Sequence, residues 1–242
     1  MPDWLLTTTK TRVIAQSQQV VRADAEDRAQ LPIPLEDKLL EWAAPLVTKV
    51  DSVVISDYAK GVVSARVARE LIDLCRRAGK PIVVDPKGSD FAKYSGATVI
   101  TPNVTDAGRA ANVHVHDYED LLEVARRIGD LCRDTRLLVT RGAAGMTLFG
   151  PSAPDDISAE THEVYDVTGA GDTVVAVLAV ALGQGMMLED AVRVANAAAG
   201  IAVEKVGTAT VTFEELEARL AQRASTPAET APVRASSSRR RA

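Results

Sequence analysis

The chain has 242 residues, 46% of them hydrophobic and 4% aromatic, with a formal net charge of -5. That length and apolar content suit one large domain whose core is built from Val, Leu, Ala and Ile. The acidic balance excludes a global basic footprint for nucleic acid, and the longest apolar run, Val174 to Leu182, is too short to span a bilayer.

The opening MPDWLLTTTK has no basic segment followed by an apolar stretch, so no signal peptide is expected and the expected location is the cytoplasm. Residues 7–24, TTTKTRVIAQSQQVVRAD, read as two short alternating strands around Gln16-Ser17-Gln18. With few apolar positions, this hairpin resembles a flap more than a core sheet. The spacing of LEDKLLEWAAPLVT predicts a helix over 35–48.

From there strands and helices alternate. SVVIS is a buried-strand run, Ser64 can cap the helix ARVARELIDLCRRAG, and PIVVD and ATVIT are the next strands. The helix DYEDLLEVARRIGDLCRD leads to the strands RLLVT and GMTLF, then to a strand at EVY and a long helix behind it. LEDAVRVANAAAGIAVEKV and TFEELEARLAQR add two more helices. This alternation predicts an α/β protein with a mostly parallel sheet covered on both faces. Ligands of such sheets bind beyond the carboxyl ends of the strands.

Cys75 and Cys132 each sit in an amphipathic helical pattern without CxxC spacing or a nearby His, which predicts buried reduced thiols. His114 and His116 form HVH, and His162 stands alone. The tail from 224 to 242 is rich in Ser, Pro, Ala and Arg and reads as disordered. Its Arg239–Arg241 run reads as a solvated end.

The densest chemical signal is DVTGAGDT, Asp166 to Thr173, between a strand and a long small-residue helix. Gly169 and Gly171 permit a tight turn and a close backbone approach. The unpaired N–H groups of the helix start form a seat for phosphate oxygens. Asp172 at that seat can take a proton from a hydroxyl that attacks a phosphoryl group. The competing reading makes Asp172 a helix cap and the glycines a turn.

This segment resembles the DTxGAGD signature of the PfkB, or ribokinase-like, carbohydrate kinases, with Val167 in place of Thr. The resemblance implies a three-layer α/β/α fold, with Asp172 as catalytic base and Gly169, Ala170 and Gly171 as the anion hole. ITPNVTD resembles the family's N-x-x-E motif, so Asn103 and Asp106 are implied to arrange Mg²⁺ and its waters, Asp106 being one methylene shorter than Glu. LLVTRGAAGMTLF resembles the nucleotide-binding strand and turn. It implicates Thr140 and Gly142 in holding ATP, although Gly142 and Gly145 equally suit a hairpin. Asn196 is implied near the adenine. Members often bind a monovalent cation such as K⁺ beside the anion hole, which would involve Asp166 and Thr168.

VVISDYAKGVVS and VVDPKGSDFAKYSGATVITPN are similar to the D-glycero-β-D-manno-heptose 7-phosphate kinases of this family. That branch implies transfer from ATP to the anomeric hydroxyl on the way to lipopolysaccharide precursors. Lys10, Arg12, Lys60 and Lys87, at strand ends or in the flap, are the candidates for the sugar phosphate; each taken alone reads more readily as an ordinary surface charge. The expected partners are the sugar phosphate and ATP, with no nucleic acid and no membrane.

HVH lacks the HxGH motif of a fused nucleotidyltransferase, so no second activity is expected here. Family members open with a strand, a Gly-Asp segment and a GGxxxN motif, none of which this sequence displays. The expectation is therefore a flap remnant over 1–30 and a nucleotide-side core over 31–223, with the first strands and most of the lid absent and an unpaired sheet edge left behind. A truncated kinase, a partner chain or second copy supplying the front, and a non-catalytic remnant all fit that pattern.

Overall fold

The computed structural model describes residues 8–15, 18–26, 29–160 and 164–225. The predicted tail from 226 onward, His162 and the tip of the hairpin lie outside the described residues.

Strands β1 (Thr9–Ala15) and β2 (Gln18–Ala25) pair antiparallel as a separate two-stranded sheet. Every residue of β1 is exposed. Two strands alone are marginal in water, and this pair is tied to the body at its base. Lys60 bonds to Glu26, and the Leu31 N–H donates to the Gly61 carbonyl at 3.1 Å.

The main sheet runs in chain order through β3 (Val53–Ser56), β4 (Ile82–Asp85), β5 (Val99–Ile100), β6 (Arg136–Thr140), β7 (Met146–Phe149) and β8 (Asp155–Ile157). The first four are parallel, β7 runs antiparallel to β6, and β8 runs antiparallel to β7. Strand periodicity divides the core. Ile82, Val84, Ile100, Leu137 and Val139 face one side, while Val83, Val99 and Leu138 face the other.

The first face is covered by α2 (Ala65–Ala78), α3 (Val104–Ala111) and α4 (Tyr118–Leu131). The second is covered by α5 (Ala170–Gly183) and α6 (Leu188–Val203). Helix α1 (Ile33–Val47) packs on α2, and α7 (Phe213–Ser225) packs on α6. The architecture is the expected mostly parallel α/β/α stack. Ser64 caps α2 as its sequence predicts, accepting the Val67 N–H at 3.1 Å. Both cysteines are free and buried, and burial pushes the Cys75 thiol up to about 11 and Cys132 to about 12.

One expectation needs correction, and one strand was not foreseen. Val164 and Tyr165 of the predicted EVY strand are not in a strand. Their segment serves α6 instead: the Tyr165 and Asp166 amides donate to the Val203 carbonyl at its end, at 2.8 and 3.3 Å. The sheet ends on β8, a short strand with only one buried residue, Ile157, and no alternating signal to reveal it. At the other side β3 is an edge: among the described residues its strand neighbour is β4 alone, and Val54 is 43% exposed.

Behind β3 lies a buried ionic strut. Asp57, 2% exposed, accepts from Lys93 Nζ and from the Tyr94 hydroxyl at 2.6 Å each, and from the Ala59 N–H at 2.7 Å. Lys93 also donates to the Val63 carbonyl at 2.9 Å. The strut holds the loop 57–63 against the segment after β4. Removing one partner strands the other charge in the interior. Lys93→Met is expected to lower the unfolding free energy by about 3–5 kcal/mol, read as a shift of the urea midpoint, while Lys38→Met on exposed α1 leaves the midpoint unmoved.

Candidate active site

The carboxyl ends of the parallel strands and the start of α5 open onto one cleft of roughly 630 Å³. Tyr58 after β3, Asp85 at the end of β4 and Lys87 beyond it, Thr101 and Asn103 after β5, and Thr140 at the end of β6 with Gly142 beyond it line it. Facing them are Gly169, Ala170, Gly171 and Asp172, with Asn196, Gly200 and Val203 of α6. Ten sequence-predicted positions thus lie on one cleft or directly behind it.

The mouth of α5 is built as the sequence implies. Gly169 sits at φ 84°, a left-handed conformation that side chains resist. The first helical bonds run from the Thr173 amide and hydroxyl to the Gly169 carbonyl, at 2.9 and 3.0 Å. The amides of Gly171 and Asp172 meet no acceptor among the described residues. A Cβ placed at Gly171 would touch nothing within 4 Å, so the cleft is open beside this turn. Free N–H groups and the positive end of a 14-residue helix face the cleft together. Asp172, in the first turn, is exposed on the same cleft.

Asp166 staples this turn to the next loop. Its Oδ1 accepts the Thr168 N–H at 2.8 Å and its Oδ2 accepts the Gly207 N–H at 3.2 Å. Hydrogen bonding from Thr168 holds its carboxyl below the usual range. Both of its carboxylate oxygens are thus engaged by backbone N–H groups.

Asn103 and Asp106 come together at the start of α3. Asn103 caps the helix, its Oδ1 accepting the Asp106 N–H at 2.8 Å, and its Nδ2 donates to Asp106 Oδ2 at 2.9 Å. The same Oδ2 accepts from Lys87 Nζ at 2.6 Å, and Oδ1 accepts from Arg109 Nη1 at 3.1 Å. A carboxylate has about four acceptor positions, so three bonds and two cations nearly saturate this one. Asp106 is 6% exposed. The donor set therefore does not fit a directly ligated Mg²⁺.

Asn196 lines the cleft at 3% exposure, and its Nδ2 donates to the Ser158 carbonyl at 2.8 Å. Gly200, one turn on, lies so close to the Glu160 carbonyl that a Cβ would stand 2.0 Å from it. This face of α6 fixes the wall opposite Gly142.

Three of the four cations proposed for the sugar phosphate are placed elsewhere. Lys10 pairs with Asp24 at 3.1 Å across the hairpin, Arg12 faces Arg22 in the strand register, and Lys60 pairs with Glu26. None of them lines the cleft, because hairpin partners and the hairpin tether engage this segment; Lys87 does line it. Sequence reasoning missed Asp85 and Tyr58. The signal for Asp85 was available: it ends the strand PIVVD, where this sheet type gathers its ligands.

Burial pushes the Asp85 carboxyl up to about 6, with Lys87 opposing and Asp172, Asp106 and Asp57 adding to the rise. A folded-state value above the unfolded one means that folding favours the protonated form, so this contribution is lost as pH rises through about 6. Asp85→Asn is expected to raise stability at pH 7.5 by on the order of 1–3 kcal/mol. The gain should fade near pH 4, as urea titrations at the two pH values will read.

Residues 4–215 match the pfkB family carbohydrate kinase profile. The chain is 44% identical over 216 residues to the bifunctional protein HldE of Geotalea uraniireducens (strain Rf4), covering 89% of this chain and 44% of that protein. It is 46% identical over 211 residues to its counterpart in Paramagnetospirillum magneticum (strain ATCC 700264 / AMB-1), covering 87% and 43%. The chain thus spans less than half the length of these curated relatives. Among solved structures, ribokinase from Giardia lamblia superposes with a TM-score of 0.70 at 19% identity, over 89% of this chain and 72% of that one. Arabidopsis thaliana ribokinase, complexed with ribose and ATP, superposes with a TM-score of 0.66 at 22% identity, over 85% and 66%. The fold, the cleft at its strand ends and the matched profile agree: the chain belongs to the pfkB family of carbohydrate kinases.

Proposed function

We propose that the chain carries the kinase half of a sugar-phosphate kinase reaction, in which ATP phosphorylates the anomeric hydroxyl of D-glycero-β-D-manno-heptose 7-phosphate. The product is the 1,7-bisphosphate, a precursor of ADP-heptose and lipopolysaccharide. One observation carries the reading. Unbonded amides at the mouth of α5 and the Asp172 carboxylate share one cleft with open space before them. The 42–46% identity to proteins named HldE directs it to this acceptor.

In this mechanism the Asp172 carboxylate takes the proton of the attacking hydroxyl. The hydroxyl oxygen bonds to the γ-phosphorus, the bond from that phosphorus to the β–γ bridging oxygen breaks, and the electron pair leaves with ADP. The amides of Gly171 and Asp172 hold the non-bridging oxygens as charge gathers on them, while the Ala170 amide stays on the Val167 carbonyl at 3.3 Å. ATP enters as its Mg²⁺ complex, with Thr140, Gly142 and Asn196 along its wall. Asp166 and Thr168 are the residues for a monovalent cation. The β1–β2 hairpin acts as a lid on the sugar side, and a second copy or a separate chain completes that side. The reaction belongs to the cytoplasm, where ATP and its acceptor are found together.

Incubation of the chain with ATP, Mg²⁺ and the heptose 7-phosphate is expected to yield ADP and a bisphosphate; nucleotide binding without ADP release overturns the reading. Asp172→Asn should lower turnover by about 10²–10⁴-fold while leaving nucleotide binding intact by calorimetry. Gly171→Ala gives a different signature. Its methyl enters the open seat, so transfer falls, yet the thermal midpoint holds or rises, because Ala favours a helix over Gly by about 0.5–1 kcal/mol.

A further inference from the structure

The cleft presents an electrostatic problem for a polyphosphate. Its lining carries the carboxylates of Asp85, Glu160 and Asp172, and Lys87 is the single cationic side chain among the described lining residues. Glu160 is met from outside by Arg223 at 2.5 Å. Asp172 and Asp85 have no such partner among the described residues, and Asp85 senses Asp172 and Lys87 together. A triphosphate arriving here needs a positive charge close to the transfer point.

Lys87 is fixed for that task. Its ammonium spends one donor on Asp106 at 2.6 Å and keeps two more. The Lys87 side chain is 34% exposed whereas Asp106 is 8% exposed, so the anchor is buried and the ammonium reaches the cleft. Asp106 is itself clamped by Asn103 and Arg109. A carboxylate flanked by two cations repels a further dication, while the pair Lys87–Arg109 around it leaves net positive charge at this wall.

We propose that Lys87 meets the phosphoryl group in transfer, and that Asp106 is its positioning residue rather than a metal ligand. The proposal rests on the phosphoryl-transfer reading of the cleft. It moves Lys87 from the acceptor's own phosphate to the γ-phosphate of ATP, and it gives the Asn103–Asp106 start of α3 a mechanical role.

The test compares ATP with ADP on the full chain. Loss of one charge-assisted contact is worth about 1.5–3 kcal/mol, about 10- to 100-fold in affinity. Lys87→Met should weaken ATP binding by that factor and leave ADP within about twofold by calorimetry, with Lys87→Arg restoring much of the difference. Asp106→Asn should weaken ATP selectively as well, without changing the Mg²⁺ concentration needed for half-maximal ADP release.

Three outcomes overturn the proposal. Lys87→Met could weaken both nucleotides equally or neither. It could instead raise only the KM for the sugar phosphate, returning Lys87 to the acceptor. Or Asp106→Asn could raise the Mg²⁺ requirement, making Asp106 a metal residue after all. A wild-type chain that binds neither nucleotide sinks the kinase reading together with this one, whereas normal wild-type transfer with an unaffected Lys87→Met sinks this one alone.

Discussion

Amide groups at the start of α5 that find no partner among the described residues are the constraint around which the rest is arranged. Such donors are tolerated only where water or an anion can reach them. The fold meets that condition by ending its parallel strands on the same cleft, so the open helix mouth faces strand-end side chains rather than a packed wall. Gly169 makes the entry turn at φ 84°, and the bare Gly171 leaves the approach clear. Behind them α5 packs on α6 through Val174, Leu178, Ala179, Ala191 and Ala195. The alanines among them let the two helices lie close, and Asn196 and Gly200 of α6 line the same cleft.

The carboxylates around this cleft are chemically alike and are made different by their neighbours. Asp106 is clamped by two cations and an amide, Asp166 is held by two backbone N–H groups, Asp85 is raised by burial, and Asp172 stands exposed at the helix mouth. Separating such groups by environment is how one site assigns positioning, turn-holding and proton transfer to the same side chain. A single ammonium among the lining residues makes the placement of Lys87 unusually consequential.

Some of the most distinctive sequence serves the frame and not the chemistry. SDYAKG and DPKGSDFAKY carried much of the resemblance to the heptose kinase branch, and the structure joins them through Asp57, Lys93 and Tyr94. This strut is nearly inaccessible to ligand. It sets the loop bearing Tyr58 beside the strand end bearing Asp85 and Lys87, which acts on the site only through position. A buried pair of this kind adds little net stability when intact and costs much when halved.

The sequence alone settled what depends on neighbours along the chain. Strand and helix alternation, the cap at Ser64, the turn and helix start at Gly169–Asp172 and the pairing of Asn103 with Asp106 are local patterns of backbone preference and short-range hydrogen bonding, and they were legible. Folding decided what depends on residues far apart. Val164 and Tyr165 lost their expected strand as the Tyr165 amide was claimed by the end of α6, β8 formed from an unpatterned segment by pairing with β7, and Lys10 and Lys60 were spent on Asp24 and Glu26. Lys87 and Asp106 are 19 positions apart, and only the packing of the segments after adjacent strands shows that Asp106 holds a lysine. Charge reports its sign from sequence, but its partner, and hence its work, is chosen by the distances that packing imposes.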